Sequence, residues 1–384
     1  MKINRIALSF MVLGLTALIF SCKKPNNTAP DADTETESAV DASWATFAIT
    51  DVEQIGAFLA ENQLQTHFYR DIPGSFNSAN STGSLTVTRD TNSRNVNIAF
   101  NKTWCYDGRY REGTLFMFYN YDADYSKKYV TTANPNARYA HDNAFIGKIS
   151  FSNYRVDNWQ IDIDQDKPHG MDYAVMVNLM PPNYVAKTTP IQWRFVGDFL
   201  FTHPTDPSKN MKVSVDLVKT LLNSGDIYPQ TRGTYINWSN FVPTVPNSTV
   251  APSVATTAGL VAYTGTVSGN TTNGKKFRMV IDEKNPMIRD FTCYADKVGG
   301  VTVGSGTVGI TPRYQEFHPF TKGIASFTTA LDKTDIDKNL TGKSDVYPRQ
   351  IYFGNEDNPE LANQCDNTGF VLIKGIGYRV DLKK

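Results

Sequence analysis

The chain has 384 residues, with 38 basic and 38 acidic side chains and 12% aromatic residues. That neutral balance offers no basic stripe for nucleic acid, and the length fits one large or two ordinary domains. Abundant Tyr and Phe, together with Thr, Val, Gly and Asn, point to strands and turns.

Lys2 and Arg5 open a short basic region, and Ile6 to Phe20 is an apolar or small-residue run interrupted only by Ser9, Gly14 and Thr16. The order of basic, apolar and then small residues is that of a secretory signal. The run falls short of the ~20 apolar residues that a spanning helix needs. Ile19-Phe20-Ser21-Cys22 resembles a lipobox, whose cysteine thiol receives a diacylglycerol and becomes the new N-terminus. Phe20 stands where a small or β-branched residue is usual. The alternatives are cleavage that leaves Cys22 bare, or an uncleaved anchor. Acyl chains contribute ~0.8 kcal/mol per buried CH₂, so a multiply acylated Cys22 holds its protein firmly at a bilayer. The expected address is the cell envelope, at the outer membrane. Losing residues 1–21 removes Lys2 and Arg5 and no acid, which leaves a slight net negative charge.

Residues 22–42 hold Pro, Asn, Thr, Asp and Glu with no aromatics, and read as a flexible tether. Val52, Ile55, Phe58, Leu59 and Leu64 then recur at near-helical spacing, which predicts one short amphipathic helix over 51–66. Alternation predicts a hairpin from Leu85–Val87 and Val96–Phe100 across Asp90–Ser93. Further strands are expected at 114–119, 145–151, 159–163, 173–179, 191–196 and 211–217, with 215–223 open to a helical turn. Three prolines among small polar residues mark 239–258 as a linker or long loop. Beyond it, strands are expected near 260–267, 276–282, 300–310, 349–353 and 370–381. The fold class is therefore all-β and sandwich-like, as two units (43–238 and 259–384), with a short N-terminal helix.

Cys105, Cys293 and Cys365 remain after Cys22. An oxidising envelope permits one bridge. Cys293–Cys365 is the preferred pair, worth about 4 kcal/mol in the chain-entropy model; three buried thiols are the alternative.

Trp104 to Gly113 resembles a C-x-DGR-x-R-x-G segment in a family of uncharacterised Bacteroidota-type lipoproteins. Gly265 to Gly269 with Asn273-Gly274-Lys275 is similar to that family's G-T-x-S-G…N-G-K hairpin, and Arg349 to Gly354 with Cys365-Asp366-Asn367 to its closing block. The resemblance runs from about residue 84 to the end. It implies a surface or periplasmic lipoprotein and supplies no catalytic residues. The insert 121–143 and the run 181–232 fit the pattern poorly, so distinctive function is expected there.

No motif supports a catalytic assignment. Gly304 to Gly309 matches G-x-G-x-x-G, but Pro312 and a β context follow where a dinucleotide site needs a helix. Asp162, Asp164 and Asp166 alternate, yet Lys167 and Tyr173 occupy the positions where an EF-type loop needs Gly and Glu. His67, His141, His169, His203 and His318 are scattered, so no metal or cofactor is expected. Asp107, Arg109 and Arg111 suit either a carboxylate clamp or an Asp-Gly turn with ion-paired arginines. Tyr119, Tyr121, Tyr125 and Tyr129, set among charges, suit either a surface that stacks on sugars or partner proteins, or a β core. The leading expectation is a non-catalytic, membrane-anchored module binding a glycan or protein. The rivals are a structural envelope protein and a carbohydrate hydrolase with two carboxylates from distant loops. Intact-mass analysis of the membrane-extracted protein should show an N-terminus at Cys22 carrying acyl mass. A Cys22→Ser variant should lose that mass and its membrane retention.

Overall fold

The structure, a computed structural model, describes residues 32–60, 84–90, 94–104, 109–119, 145–166, 171–179, 190–222, 260–290, 320–330, 349–354, 368–373 and 376–381. Among the described residues, one α-helix, α1 (Ala32–Ala60), is followed by sixteen strands. The first eight are β1 (Ser84–Asp90), β2 (Asn95–Trp104), β3 (Tyr110–Tyr119), β4 (Ile146–Val156), β5 (Trp159–Ile163), β6 (Ala174–Asn178), β7 (Gln192–Thr202) and β8 (Met211–Leu221). The rest are β9 (Leu260–Asn270), β10 (Lys276–Ile281), β11 (Met287–Asp290), β12 (Phe320–Lys322), β13 (Ile324–Ala330), β14 (Arg349–Phe353), β15 (Thr368–Ile373) and β16 (Ile376–Asp381).

All belong to one antiparallel sheet that follows chain order from β1 to β16, with β6 bridging β4 and β7, and β11 continuing the pairing of β9. A twisted sheet of this width curls rather than lying flat, and this one curls around α1. The helix packs against β2, β3 and β4 and also against β9, β10, β13, β15 and β16. Between Ser38 and Ala60 nearly every described side chain of α1 is buried, polar ones included. The core is the space between helix and sheet: Trp44 meets Trp159 at 5.0 Å and Phe201 at 5.3 Å, while Phe47 meets Phe320 edge-on at 5.7 Å.

The all-β expectation with one N-terminal helix holds. The helix starts earlier than expected, however: it is already formed at Ala32, inside the segment expected as a tether, while the expected end near Thr66 lies outside the described residues. A helix enclosed on all sides has no polar face, so residues 32–50 lack the periodicity that marks a half-buried one. The two expected units share one sheet, because β8 pairs with β9 from Val213↔Gly269 to Leu221↔Val261. The linker 239–258 and the strand at 300–310 lie outside the described residues. Residues 215–221 are strand, with Val215, Leu217, Lys219 and Leu221 all inward; a helical turn there would have scattered them. Strands β11, β12 and β13 were not expected.

Gly113 shows how the sheet turns a strand over. The β3–β4 register shifts between Glu112 and Thr114, so that Asn153 and Tyr154 together face Gly113. This bulge moves the inward side of β4 from Ile149 and Phe151 to Tyr154 and Val156. Gly113 has φ +85°, and a Cβ there would lie 2.1 Å from the Asn153 carbonyl oxygen. Gly113→Ala should therefore cost ~2–3 kcal/mol in a urea melt, from backbone strain and a forced shift of the bulge.

Candidate functional site

The interior holds charge as well as hydrocarbon. Asp51 of α1 accepts from Arg111 Nη2 at 2.6 Å and from Arg289 Nη2 at 3.4 Å, and all three side chains are essentially unexposed. Arg111 comes from β3 and Arg289 from β11, so one carboxylate ties strands from both halves of the sheet. The guanidiniums of Arg109 and Arg289 lie 4.2 and 4.6 Å from the Phe47 ring centroid, within cation–π range. Two residues further along the helix, Glu53 pairs with Lys219 Nζ at 2.6 Å and accepts from the Tyr263 hydroxyl at 3.2 Å. Trp193, Lys219 and Tyr263 form one cross-strand row over β7, β8 and β9, and Lys219 Nζ sits 4.6 Å from the Trp193 ring.

These groups shift one another's protonation. Burial acts to raise the Asp51 pKa, but the Arg111 and Arg289 charges overcome it and hold the carboxyl below its usual range. Burial, reinforced by the Glu53 charge, drives the Tyr263 phenol well above its usual value. Each set is closed off from solvent, so the network stabilises the fold and presents nothing to a substrate.

The residues singled out from the sequence are placed accordingly. Arg109 and Arg111 are 3% and 0% exposed, which removes them as surface ligand contacts. Arg109 pairs with Asp157 in the β4–β5 turn at 2.9 Å, an arginine–acid pair of the kind the turn alternative supposed. Arg111 reaches the helix instead. Tyr119 is 6% exposed and stacks on Phe145 at 6.2 Å, so it is a core residue. Cys22, Tyr121, Tyr125, Tyr129, Cys293 and Cys365 lie outside the described residues. The alternating acids have a local partner: Lys212 Nζ bonds Asp166 and lies 3.2 Å from Asp164, so an ammonium occupies the place a bound cation would take. Among the described residues no cluster suits a metal ion. His203 is a loop residue whose Nδ1 accepts from the Thr205 and Asp206 amides at 3.2 and 3.0 Å.

A different feature opens to solvent. On the outer face of β7, β8, β9 and β10 lies a shallow groove of about 560 Å³, within the usual size of ligand clefts. Strand alternation builds it: on β8 the outward residues are Ser214, Asp216 and Val218, flanked by Arg194, Thr266, Ser268 and Arg278. In cross-strand register, Ser214 faces Ser268, which faces Arg278. Arg194 forks onto Asp216 with bonds of 2.8 and 2.6 Å. Arg278 Nε is shielded from solvent and has no hydrogen-bond partner. At the rim stands Leu179, the only exposed large apolar side chain among the described residues. Guanidiniums and hydroxyls in this arrangement suit carboxylate or hydroxyl groups of a polar ligand. Asp216 is the single acid among the described lining residues, and both its oxygens bond Arg194. Sequence reasoning missed this site because each member is an ordinary outward strand residue.

No family model, no curated protein and no solved structure matches the chain.

Asp51→Asn should destabilise the protein by about 3–5 kcal/mol at neutral pH, because it leaves buried guanidiniums without their counter-charge. In the parent protein the depressed Asp51 pKa contributes stability that is complete above the unfolded-state value of about 3.9 and is lost as pH falls through the lower folded value. Urea melts from pH 7 to pH 2.5 should therefore show a smaller acid loss for Asp51→Asn than for the parent.

Proposed function

We propose that the chain is a lipid-anchored protein of the cell envelope, at the outer membrane, whose body is a non-catalytic binding module for a glycan or protein. The groove over β7–β10 carries this reading. The helix fills the space inside the curled sheet, so a ligand is met on the outside, and the groove sets two arginines and three hydroxyl groups around an open cleft. The signal-like N-terminus ending at Cys22 supports the address. No described helix is long and apolar enough to cross a membrane; the lipobox-like stretch Ile19–Cys22 supports attachment through an acyl group at Cys22. The ligand class follows from the lining: a sugar acid, or a protein segment presenting carboxylates, would match Arg278 and the Ser214–Ser268 hydroxyls. Arg–carboxylate bonds of this type fix orientation as well as affinity.

A glycan and protein array probed with the Cys22→Ser protein should show binding to carboxylate-bearing members. Arg278→Ala should weaken that binding by at least about tenfold, as expected for the loss of one charge-assisted hydrogen bond, with an unchanged melting temperature. An array with no binder, or binding that ignores Arg278, would refute the groove as the site.

A further inference from the structure

The path of α1 through the sheet bears on how the anchored protein stands. Its first described side chains are fixed to the β9–β10 hairpin. The Thr272 amide and hydroxyl both donate to Asp41 Oδ2, at 2.7 and 2.6 Å. The Thr272 hydroxyl also bonds Glu37 Oε1 at 3.2 Å, and Asn273 Nδ2 donates to Ser38 Oγ at 3.2 Å. The turn that receives the helix is a tight one: Gly274 has φ +78° and its amide donates to the Thr271 carbonyl. At its other end, the Leu59 carbonyl accepts from Arg89 on β1. The helix therefore enters the sheet at one end and finishes toward the other.

Strand register fixes what lies at each end. β9 runs into the 271–275 turn, and Val213 pairs with Gly269 at the start of β8. Phe201 pairs with Met211, Gln160 with Thr202, and Val156 with Trp159. The entry end thus carries the 271–275 hairpin, the 203–210 loop and the 157–158 turn. At the opposite end Leu221 pairs with Val261, Gln192 with Thr220, Asn178 with Trp193, Ile146 with Val177, and Tyr119 with Gly147. The connections 120–145, 179–191, 222–259, 291–319 and 354–367, which join β3 to β4, β6 to β7, β8 to β9, β11 to β12 and β14 to β15, all attach there, whereas 331–348, from β13 to β14, attaches at the entry end. The 120–145 connection contains Tyr121, Tyr125 and Tyr129.

We infer that the anchored protein stands with its 271–275 hairpin end against the lipid surface and the opposite end of the sheet facing away. The inference rests on the lipid anchor proposed above and adds the orientation. From Cys22 to Ala32 is a span of about ten residues, which reaches at most ~35 Å when fully extended. An 11-residue strand such as β7 is itself ~36 Å long. Bringing the far end to the bilayer would require the tether to run the whole length of the body at full stretch.

Two exposed positions at opposite ends of β7 test this: Ser208, next to the entry end, and Pro190, at the far end. An azide-bearing residue at either position takes the same fluorophore, and the lipoprotein is reconstituted in phosphatidylethanolamine–phosphatidylglycerol vesicles containing a rhodamine-labelled lipid. Energy transfer to the lipid should be at least about twofold higher from position 208, given the ~36 Å between the two ends. Equal or reversed transfer overturns the orientation. Mass analysis of the same sample reports the anchor separately. If Cys22 proves bare, the anchor reading fails, and a form with Cys105, Cys293 and Cys365 changed to serine is coupled through Cys22 to a maleimide phospholipid. The same comparison of positions 208 and 190 then decides the orientation.

Discussion

Everything in this fold answers to one constraint: a helix surrounded by sheet must have its buried charges met from within. Asp51 and Glu53 sit where no water reaches them, and an isolated carboxylate in such a place carries a desolvation cost of several kcal/mol. The sheet supplies the remedy from far-apart positions: Arg111 and Arg289 for the first, Lys219 and Tyr263 for the second. Such pairs add little net stability beside a hydrocarbon core of equal volume, yet they are strict about position. Sliding α1 by one turn moves its side chains ~5.4 Å and would break both sets at once. The ion pairs therefore fix the helix in its register, and the aromatic contacts of Trp44 and Phe47 fill the space that this register leaves.

Much of the sheet was legible because alternation is a local property. Trp159–Ile163 and Arg349–Phe353 are strands over the expected residues, and the turn joining β9 to β10 places Gly274 at the position whose positive φ favours glycine. The helix was only half legible. Its apolar spacing is clear after Asp51, where Val52, Ile55 and Leu59 recur, but its first half mixes Ala, Ser, Thr and Asp on every side. Only the enclosing sheet, built from residues far along the chain, explains why those positions are buried.

The interior ion pairs had a signal that was passed over. Lys219 follows Val213, Val215 and Leu217 at even spacing on the inward face of β8, and Arg111 holds the same parity as Leu115 and Met117 on β3. A cation in step with apolar residues on a strand announces a buried partner. Its identity, a carboxylate on a helix, is a matter of tertiary geometry and was not readable. Arg109 and Arg111 thus suited a surface clamp or an ion-paired turn equally on their spacing, and it is the Asp157 and Asp51 carboxylates that take them. The groove over β7–β10 was hidden for the opposite reason: Arg194, Asp216, Ser268 and Arg278 come from four strands, and only cross-strand register brings them side by side.

The enclosure of α1 also dictates the order of events in folding. The helix is synthesised before any strand, yet its neighbours include β15 and β16, at the other end of the chain, and Ser38 bonds a residue 235 positions away. Contacts of such separation close slowly, because loop entropy must be overcome before they are rewarded. Until the final strands arrive, Asp51 and Glu53 stay hydrated and α1 has no walls to pack against. A chain in that condition keeps the inward faces of its early strands uncovered until the last strands close over the helix, so the interior is completed in one late step.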